Sequence, residues 1–286
     1  MRCEIIMKSE QEEAINKRLD VIESMLPEVE RFLLELQSGD FGIEVKSNTF
    51  DLVTEGDVAC EAQLTKLITE HFPEDDIMGE ESGGNRPEST DAFCWILDPI
   101  DGTTNYANRI PMWAISIGLT FAGEPVGGVV SAPALNLRYR AALGCGATCN
   151  GDIIGVNTKA PLGNGVVVTG FPYDRARRAE PLSQALANIL REAGGVRRMG
   201  AASLDFCFVA DGRFVGYYEI LLKPWDAAGG WVIAHEAGAK LTNMDGSELN
   251  IFESKGTVVT NGLVHEELLA QIGPMKDALA MGPSID

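Results

Sequence analysis

Across residues 113–142 the sequence reads as three consecutive strands, "WAISIGLTF", "VGGVVSA" and "LRYRAAL", joined by turns at "AGEP" and "PALN". Connections this short join only antiparallel neighbours, so the stretch predicts an antiparallel meander. The flanks follow another period. Within 10–37, Ile15, Leu19, Ile22, Leu26, Val29, Leu33 and Leu36 recur every three or four residues and mark one face of a helix. Pro27 should kink or divide it. "TEGDVACEAQLTKLITEHFP" reads as a second helix, with Asp57 as its N-cap and Pro73 just beyond its end. After "GCGATCNGD" the patterns alternate: a strand in "GVVVTG", helices over 181–193 and 203–210, and a strand in "RFVGYYEI". A helix in "WDAAGGWVIAHEAG" follows, with a glycine near its C-terminal end, then "AKLTNM", "GTVVTN" and a last helix through Leu268. The pattern predicts an α/β protein of layered helices and two sheets that divide near residue 155, giving halves 1–154 and 155–286.

Composition narrows the function. With 286 residues, 45% of them hydrophobic, the chain has ample material for a core. Its 23 basic and 42 acidic residues leave a net charge of −19, with the acidic groups spread along the sequence. Such a surface repels phosphate backbones and argues against nucleic acid as the main partner. It does not exclude a small phosphorylated substrate bridged to the protein by cations. No apolar run approaches the roughly 18 residues of a membrane span, and "MRCEIIMKSEQEEA" lacks the apolar segment of a secretory signal. These features predict a cytosolic protein without a membrane partner. The six cysteines are scattered and read as reduced thiols packed as small hydrophobes; Cys145 and Cys149 lack a second pair to complete a zinc site.

The chemistry concentrates in "WILDPIDGTTNY", residues 95–106. Asp98 and Asp101 repel each other, and in a partly dry site both stay ionised only if cations lie between them. Pro99 stiffens the turn, Gly102 lets backbone approach a ligand, and Thr103 and Thr104 open a helix whose N–H groups favour an anion. An EF-hand loop with Gly102 at its sixth position would need a carboxylate where the chain has Asn108. A haloacid-dehalogenase-type phosphatase places its two aspartates two apart, and "DPID" has one residue too many. An aspartate-rich turn that only caps a helix is the plainest alternative. Two further segments weigh against it: "MGEES" places Glu80 and Glu81 after a short strand, and "PWDAAGG" places Asp226 at a helix start.

In their order and spacing, "GEES", "WILDPIDGTTN" and "PWDAAG" resemble the inositol monophosphatase family of metal-dependent phosphatases. The resemblance extends to "VKSNTFDLVTEGD", "TGFPYD" and "RRMGAASLDFCFVADGRFVGYYE" and covers nearly the whole chain. It implies an αβαβα sandwich with two sheets, shared with fructose-1,6-bisphosphatase, and a homodimer. It also implies two to three Mg²⁺ ions and sensitivity to lithium. Glu80, Asp98 and the carbonyl of Ile100 would hold a first ion, and Asp98, Asp101 and Asp226 a second; a third would lean on Glu80. Gly102 and Thr103 would offer N–H groups to the phosphate. Asp57 would orient the Thr103 hydroxyl and, with Glu80, prepare the attacking water. Glu219 and the backbone of Ala202 would meet substrate hydroxyls, beside Asp101 and Asp226. Lys46 matches a family lysine near the site and stays outside this core set. The implied activity is hydrolysis of inositol 1-phosphate or a related sugar phosphate. Fructose 1,6-bisphosphate, histidinol phosphate, a nucleotide 3′-phosphate and NADP are alternatives on the same fold, and a catalytically silent scaffold is the alternative of another class.

Overall fold

The computed structural model describes residues 9–39, 42–46, 52–83 and 91–282. Strands β1 (Ile43–Val45) and β2 (Leu52–Thr54) pair antiparallel at one end of the molecule. The first large sheet runs in chain order: β3 (Asp76–Gly79), β4 (Phe93–Asp101), β5 (Ala114–Phe121), β6 (Glu124–Ala132), β7 (Leu137–Ala142), β8 (Ala147–Cys149) and β9 (Asp152–Ile153). The predicted meander is its β5–β6–β7 centre. Only the β3–β4 pairing is parallel. The second sheet contains β10 (Val166–Thr169), β11 (Gly195–Arg197), β12 (Gly216–Glu219), β13 (Lys240–Asn243) and β14 (Thr257–Thr260), in the order β11-β10-β12-β14-β13. The chain therefore passes from one sheet to the other between Ile153 and Val166.

The helices are α1 (Ser9–Ser38), α2 (Glu55–His71), α3 (Thr103–Ala107), α4 (Ala179–Glu192), α5 (Ala202–Ala210), α6 (Pro224–Glu236), α7 (His265–Gln271) and α8 (Met275–Ala280). Helices α1 and α2 cover one face of the first sheet, α5 and α6 fill the space between the sheets, and α4, α7 and α8 cover the far face of the second. The result is the five-layer αβαβα sandwich. Strand alternation sorts the core: Trp95 and Leu97 point toward α1 and α2, whereas Cys94 and Ile96 point toward α6. In the second sheet Val168, Tyr217 and Val259 face inward, and Val167, Tyr218 and Val258 face α4 and α7. Every residue of α5 is buried, Ser203 and Asp205 included.

Helix α6 lies unusually close to the first sheet, and glycine makes this possible. A Cβ on Gly118 would stand 2.4 Å from Ala228 Cβ, and one on Gly128 would stand 2.4 Å from Gly229 O. "DAAGG" thus provides a smooth face that sits directly on β5 and β6 and draws Asp226 down toward the end of β4.

Several local expectations are corrected. Helix α1 continues unbroken through Pro27, which is exposed, so water can satisfy the carbonyl its ring leaves free. The N-cap of α2 is Thr54; Asp57 sits at the third helical position and accepts from Thr54 N at 2.7 Å, completing a capping box. A further helix, α8, follows α7, and β8, β9 and β11 extend the sheets as strands of two or three residues, too short to show a period. Five cysteines are free, Cys60, Cys94 and Cys207 buried among them, and Cys3 lies outside the described residues.

Candidate active site

In an unbroken strand, residues three apart point to opposite faces. The register of β4 against β5 pairs Asp98 with Ser116 and Asp101 with Ala114, so β4 has one residue more than its partner over this interval. This bulge at Pro99–Ile100 sends Ile100 into the core beneath α1 and α2 and brings Asp101 back to the face that carries Asp98. The next residue, Gly102, has φ 93°, and a Cβ there would lie 3.0 Å from both Gly200 O and Met112 O. Only glycine fits this left-handed turn, from which α3 begins.

Each remaining acidic group has its own support. Glu80 follows β3, and its N–H donates to Leu97 O at 3.0 Å. The turn after it is held by buried Glu61, whose carboxylate accepts from Glu81 N at 2.9 Å and Ser82 N at 2.7 Å. Gly79 leaves space for that carboxylate, since a Cβ would come within 2.3 Å of it. Asp226, in the first turn of α6, accepts from Lys223 N at 2.6 Å. Thr103 Oγ1 lies 3.3 Å from Asp57 Oδ1 and 3.2 Å from Ile100 O. Asp101 is the most heavily bonded, accepting from Ala202 N at 3.0 Å, Ser203 N at 2.6 Å and Ser203 Oγ at 2.5 Å.

The electrostatics show how near these groups stand to one another. Burial raises Asp98 well above the usual carboxylate range, and the charges of Glu80, Asp101, Asp226 and Asp57 raise it further. Asp226 is raised by burial and by Glu80 and Asp101, against the pull of the Lys223 N–H. Asp57 is pushed up to about 7 by burial, which outweighs its bonds from Thr54, with Glu80 and Glu81 adding to the rise. Among the described residues no three Asp, Glu, His or Cys side chains close into a finished cage. Asp101 and Asp226 line a cleft of about 950 Å³ with Gly102, Thr103, Ala202 and Glu219.

The profile of the inositol monophosphatase family matches residues 13–275. The chain belongs to the inositol monophosphatase family. It is 40% identical over 227 residues to the inositol-1-monophosphatase of Synechocystis, a match covering 79% of this chain and 78% of the relative. It is 37% identical over 235 residues to the chloroplastic phosphatase IMPL1 of Arabidopsis thaliana, covering 80% of this chain and 63% of that longer protein, less than two thirds of its length. The fold matches the IMPase of Thermotoga maritima with a TM-score of 0.83 at 32% identity, over 92% of this chain and 99% of that one. It also matches an IMPase/NADP phosphatase complexed with Mg²⁺ and phosphate, with a TM-score of 0.80 at 25% identity, over 90% and 95% of the two chains.

The residues present fit the cation such a family implies. All donors are hard oxygens, the set that Mg²⁺ selects. Asp98 Oδ1 is buried with no protein hydrogen bond, so a lone pair is left for another partner. Lys46 donates to Glu80 at 3.0 Å and Glu81 at 2.5 Å, so its ammonium already neutralises part of the cluster. Burial alone would lower its pKa, but the two glutamates outweigh this and raise it. The N–H of Ala202 is engaged with Asp101, so a substrate hydroxyl at Ala202 would have to share or replace that bond. Residues 47–51 of the "VKSNTFDLVTEGD" motif lie outside the described residues.

Three contributors escaped the sequence reading. Glu61, Ser203 and Asn105 touch the site residues only through folding: Asn105 Nδ2, for example, donates to Met112 O at 2.6 Å and Met199 O at 2.8 Å. Glu61 lies one helical turn beyond Asp57 in "GDVACE", a buried acid on a face otherwise apolar, and that was the available signal.

Proposed function

We propose that this chain hydrolyses the phosphate monoester of a polyol, with inositol 1-phosphate as its reference substrate, and uses Mg²⁺ to activate the attacking water. The observation that carries the reading is the bulge that turns Asp98 and Asp101 to one face, next to Glu80 and Asp226, with Asp98 Oδ1 buried and without a protein partner. Glu80, Asp98, the carbonyl of Ile100, Asp101 and Asp226 would hold the ions. When bound, Mg²⁺ neutralises phosphoryl oxygens and lowers the pKa of water. The N–H groups of Gly102 and Thr103 orient the phosphate at the start of α3. Asp57, acting through the Thr103 hydroxyl, and Glu80 draw the proton from the water that attacks phosphorus. Glu219 and the backbone at Ala202 receive the hydroxyl groups of the alcohol portion. The ions rather than basic side chains carry most of the phosphate recognition, which agrees with the net charge of −19.

The division into halves 1–154 and 155–286, read from the strand and helix pattern, the cytosolic location, read from the lack of an apolar span or signal, and the homodimer, implied by the family resemblance, are part of the same proposal. No helix among the described residues is long and apolar enough to cross a membrane. The test is a panel of phosphate monoesters, assayed with Mg²⁺ and then with excess chelator, on the parent and Asp226→Asn. The expected result is Mg²⁺-dependent release of phosphate, sensitive to lithium, with kcat lowered on the order of 10²-fold in the variant. Full turnover in chelator, or a variant with parent-like kcat and Mg²⁺ dependence, would refute it.

A further inference from the structure

Among the described residues, Asp205 is a fully buried acid that the proposed reaction leaves unused. It lies in the second half of the first turn of α5, only 1% exposed, and neither carboxylate oxygen has a hydrogen-bond partner. An ionised carboxylate in that position is strongly disfavoured. Among the described residues no cation lies at salt-bridge distance from it. The groups that feel its charge are Glu219 and Tyr217 from β12, Asp101 from β4, Cys207 from its own helix, and the exposed Arg198 ahead of that helix. All but Arg198 are acidic or neutral.

Glu219 stands in a different position, although the two acids are close enough to repel. Its Oε2 accepts the Tyr217 hydroxyl at 2.7 Å, and its carboxylate lines the cleft. It is also wedged: a Cβ on Gly170 would lie 1.9 Å from Glu219 Oε2, so the carboxylate fills the space a side chain would need. Neither acid can therefore relieve a second charge by moving away. If the pair carries one negative charge, that charge belongs on Glu219, which has a donor, access to the cleft and Arg198 along the same wall.

We propose that Asp205 stands behind Glu219 as an uncharged acid outside the binding machinery, leaving Glu219 as the single negative charge of the polyol subsite, to which substrate hydroxyls donate. The proposal rests on the reading of Glu219 as a hydroxyl acceptor. It requires no contact between Asp205 and substrate, since Asp205 does not line the cleft. A neutral side chain of the same shape should serve as well as aspartate.

The experiment uses the Mg²⁺-loaded protein with ¹³C-labelled aspartate. An infrared difference spectrum between parent and Asp205→Asn at neutral pH should show the carbonyl band of a protonated carboxyl group in the parent alone. The variant should melt at a higher temperature and keep KM and kcat for inositol 1-phosphate within about twofold. If Asp205→Asn does not fold, Asp205→Ser, also neutral, takes its place in the subtraction. A parent without the band, or a folded neutral variant whose KM rises about tenfold or more, would show that Asp205 acts as an anion and overturn the proposal. Failure of every phosphate monoester to turn over would instead remove the reaction and the subsite role with it, while the band would still report the charge state of Asp205.

Discussion

Replacing Gly118 by alanine is a stringent test of whether helix–sheet packing positions the metal ligands. The added Cβ would lie 2.4 Å from Ala228 Cβ, 3.0 Å from Ala228 C and 3.1 Å from Gly229 N. Carbon atoms pack best at about 3.5–4.0 Å, so roughly 1 Å must be found. Two of the three obstacles are backbone, and no rotamer can provide it. Helix α6 must therefore shift outward, and Asp226 lies two residues from the point of contact. Overpacking of this kind costs about 1–3 kcal/mol, with a loss in Tm of about 2–4 °C per kcal/mol. A displacement near 1 Å at a ligand is worth on the order of 10²-fold in kcat. Gly127→Ala is the control: its Cβ would meet the Leu19 methyl carbons at 3.2 and 3.3 Å, flexible tips on α1, which carries none of the proposed ligands. Thermal melts with and without Mg²⁺, together with steady-state kinetics, should show both variants destabilised and only Gly118→Ala impaired in catalysis. Parent-like kcat and Mg²⁺ dependence in Gly118→Ala would refute the argument that this packing sets the position of Asp226.

Three other perturbations have defined outcomes. Glu61→Gln weakens two charge-assisted bonds to the turn after Glu80; Mg²⁺ titration of activity should show weaker apparent affinity, and an unchanged titration would reduce Glu61 to a core residue. Asp101→Asn should destabilise the protein even in chelator, by about 1.5–3 kcal/mol in chemical denaturation, because its amide cannot accept all the donors at the start of α5; equal stability with Asp226→Asn in chelator would contradict this. His265 is buried between Thr242 and Thr260, and its pKa is lowered to about 4, by burial first and by the charge of Lys240 second. Its folded pKa lies below the unfolded value, so the unfolded state takes up more protons: its stabilising effect is full above about pH 6.5 and is lost as the pH falls toward 4. A His265→Gln variant should lose that part of the acid dependence, and identical Tm-against-pH slopes for parent and variant would sink the assignment.

The layers were legible because each period has a physical origin. A long amphipathic helix and a meander with short turns can each be buried in only a few ways, and α1 and β5–β7 are found where those constraints place them. Elements of two or three residues, such as β8, β9 and β11, carry no period and are recruited by an existing sheet edge. The N-terminus of α2 was misplaced by three residues because Thr54 and Asp57 are both good caps; the reciprocal bonds between them, not composition, decide which one is the N-cap. The acidic motifs were visible as residue types. Their convergence was implied only by the family resemblance; its physical cause lay outside residue type, in an extra residue in β4 and in two glycines in β5 and β6 whose role is to leave no side chain.

The link between the halves shows what the motifs alone concealed. If Asp101 and Asp226 were joined only through a shared ion, removing that ion would release one half from the other. In the structure Asp101 already binds both backbone and side chain of the first turn of α5, Asn105 binds the carbonyl of Met199, and α6 lies on the glycines of β5 and β6. These contacts connect the halves without a metal. A carboxylate offers about four lone-pair positions, and the donors at α5 occupy at least three of those on Asp101. Asp101 is therefore a structural link first and, in the proposed reaction, a ligand only through what remains, whereas Asp98 Oδ1 has no protein partner. Loss of metal should consequently leave the two sheets docked and loosen mainly the turn around Glu80. Hydrogen exchange in chelator would then show faster exchange at residues 80–83 while α5 and α6 remain protected; general exchange across α5 and α6 would mean that the ion, not Asp101 and the glycine contact, holds the layers together.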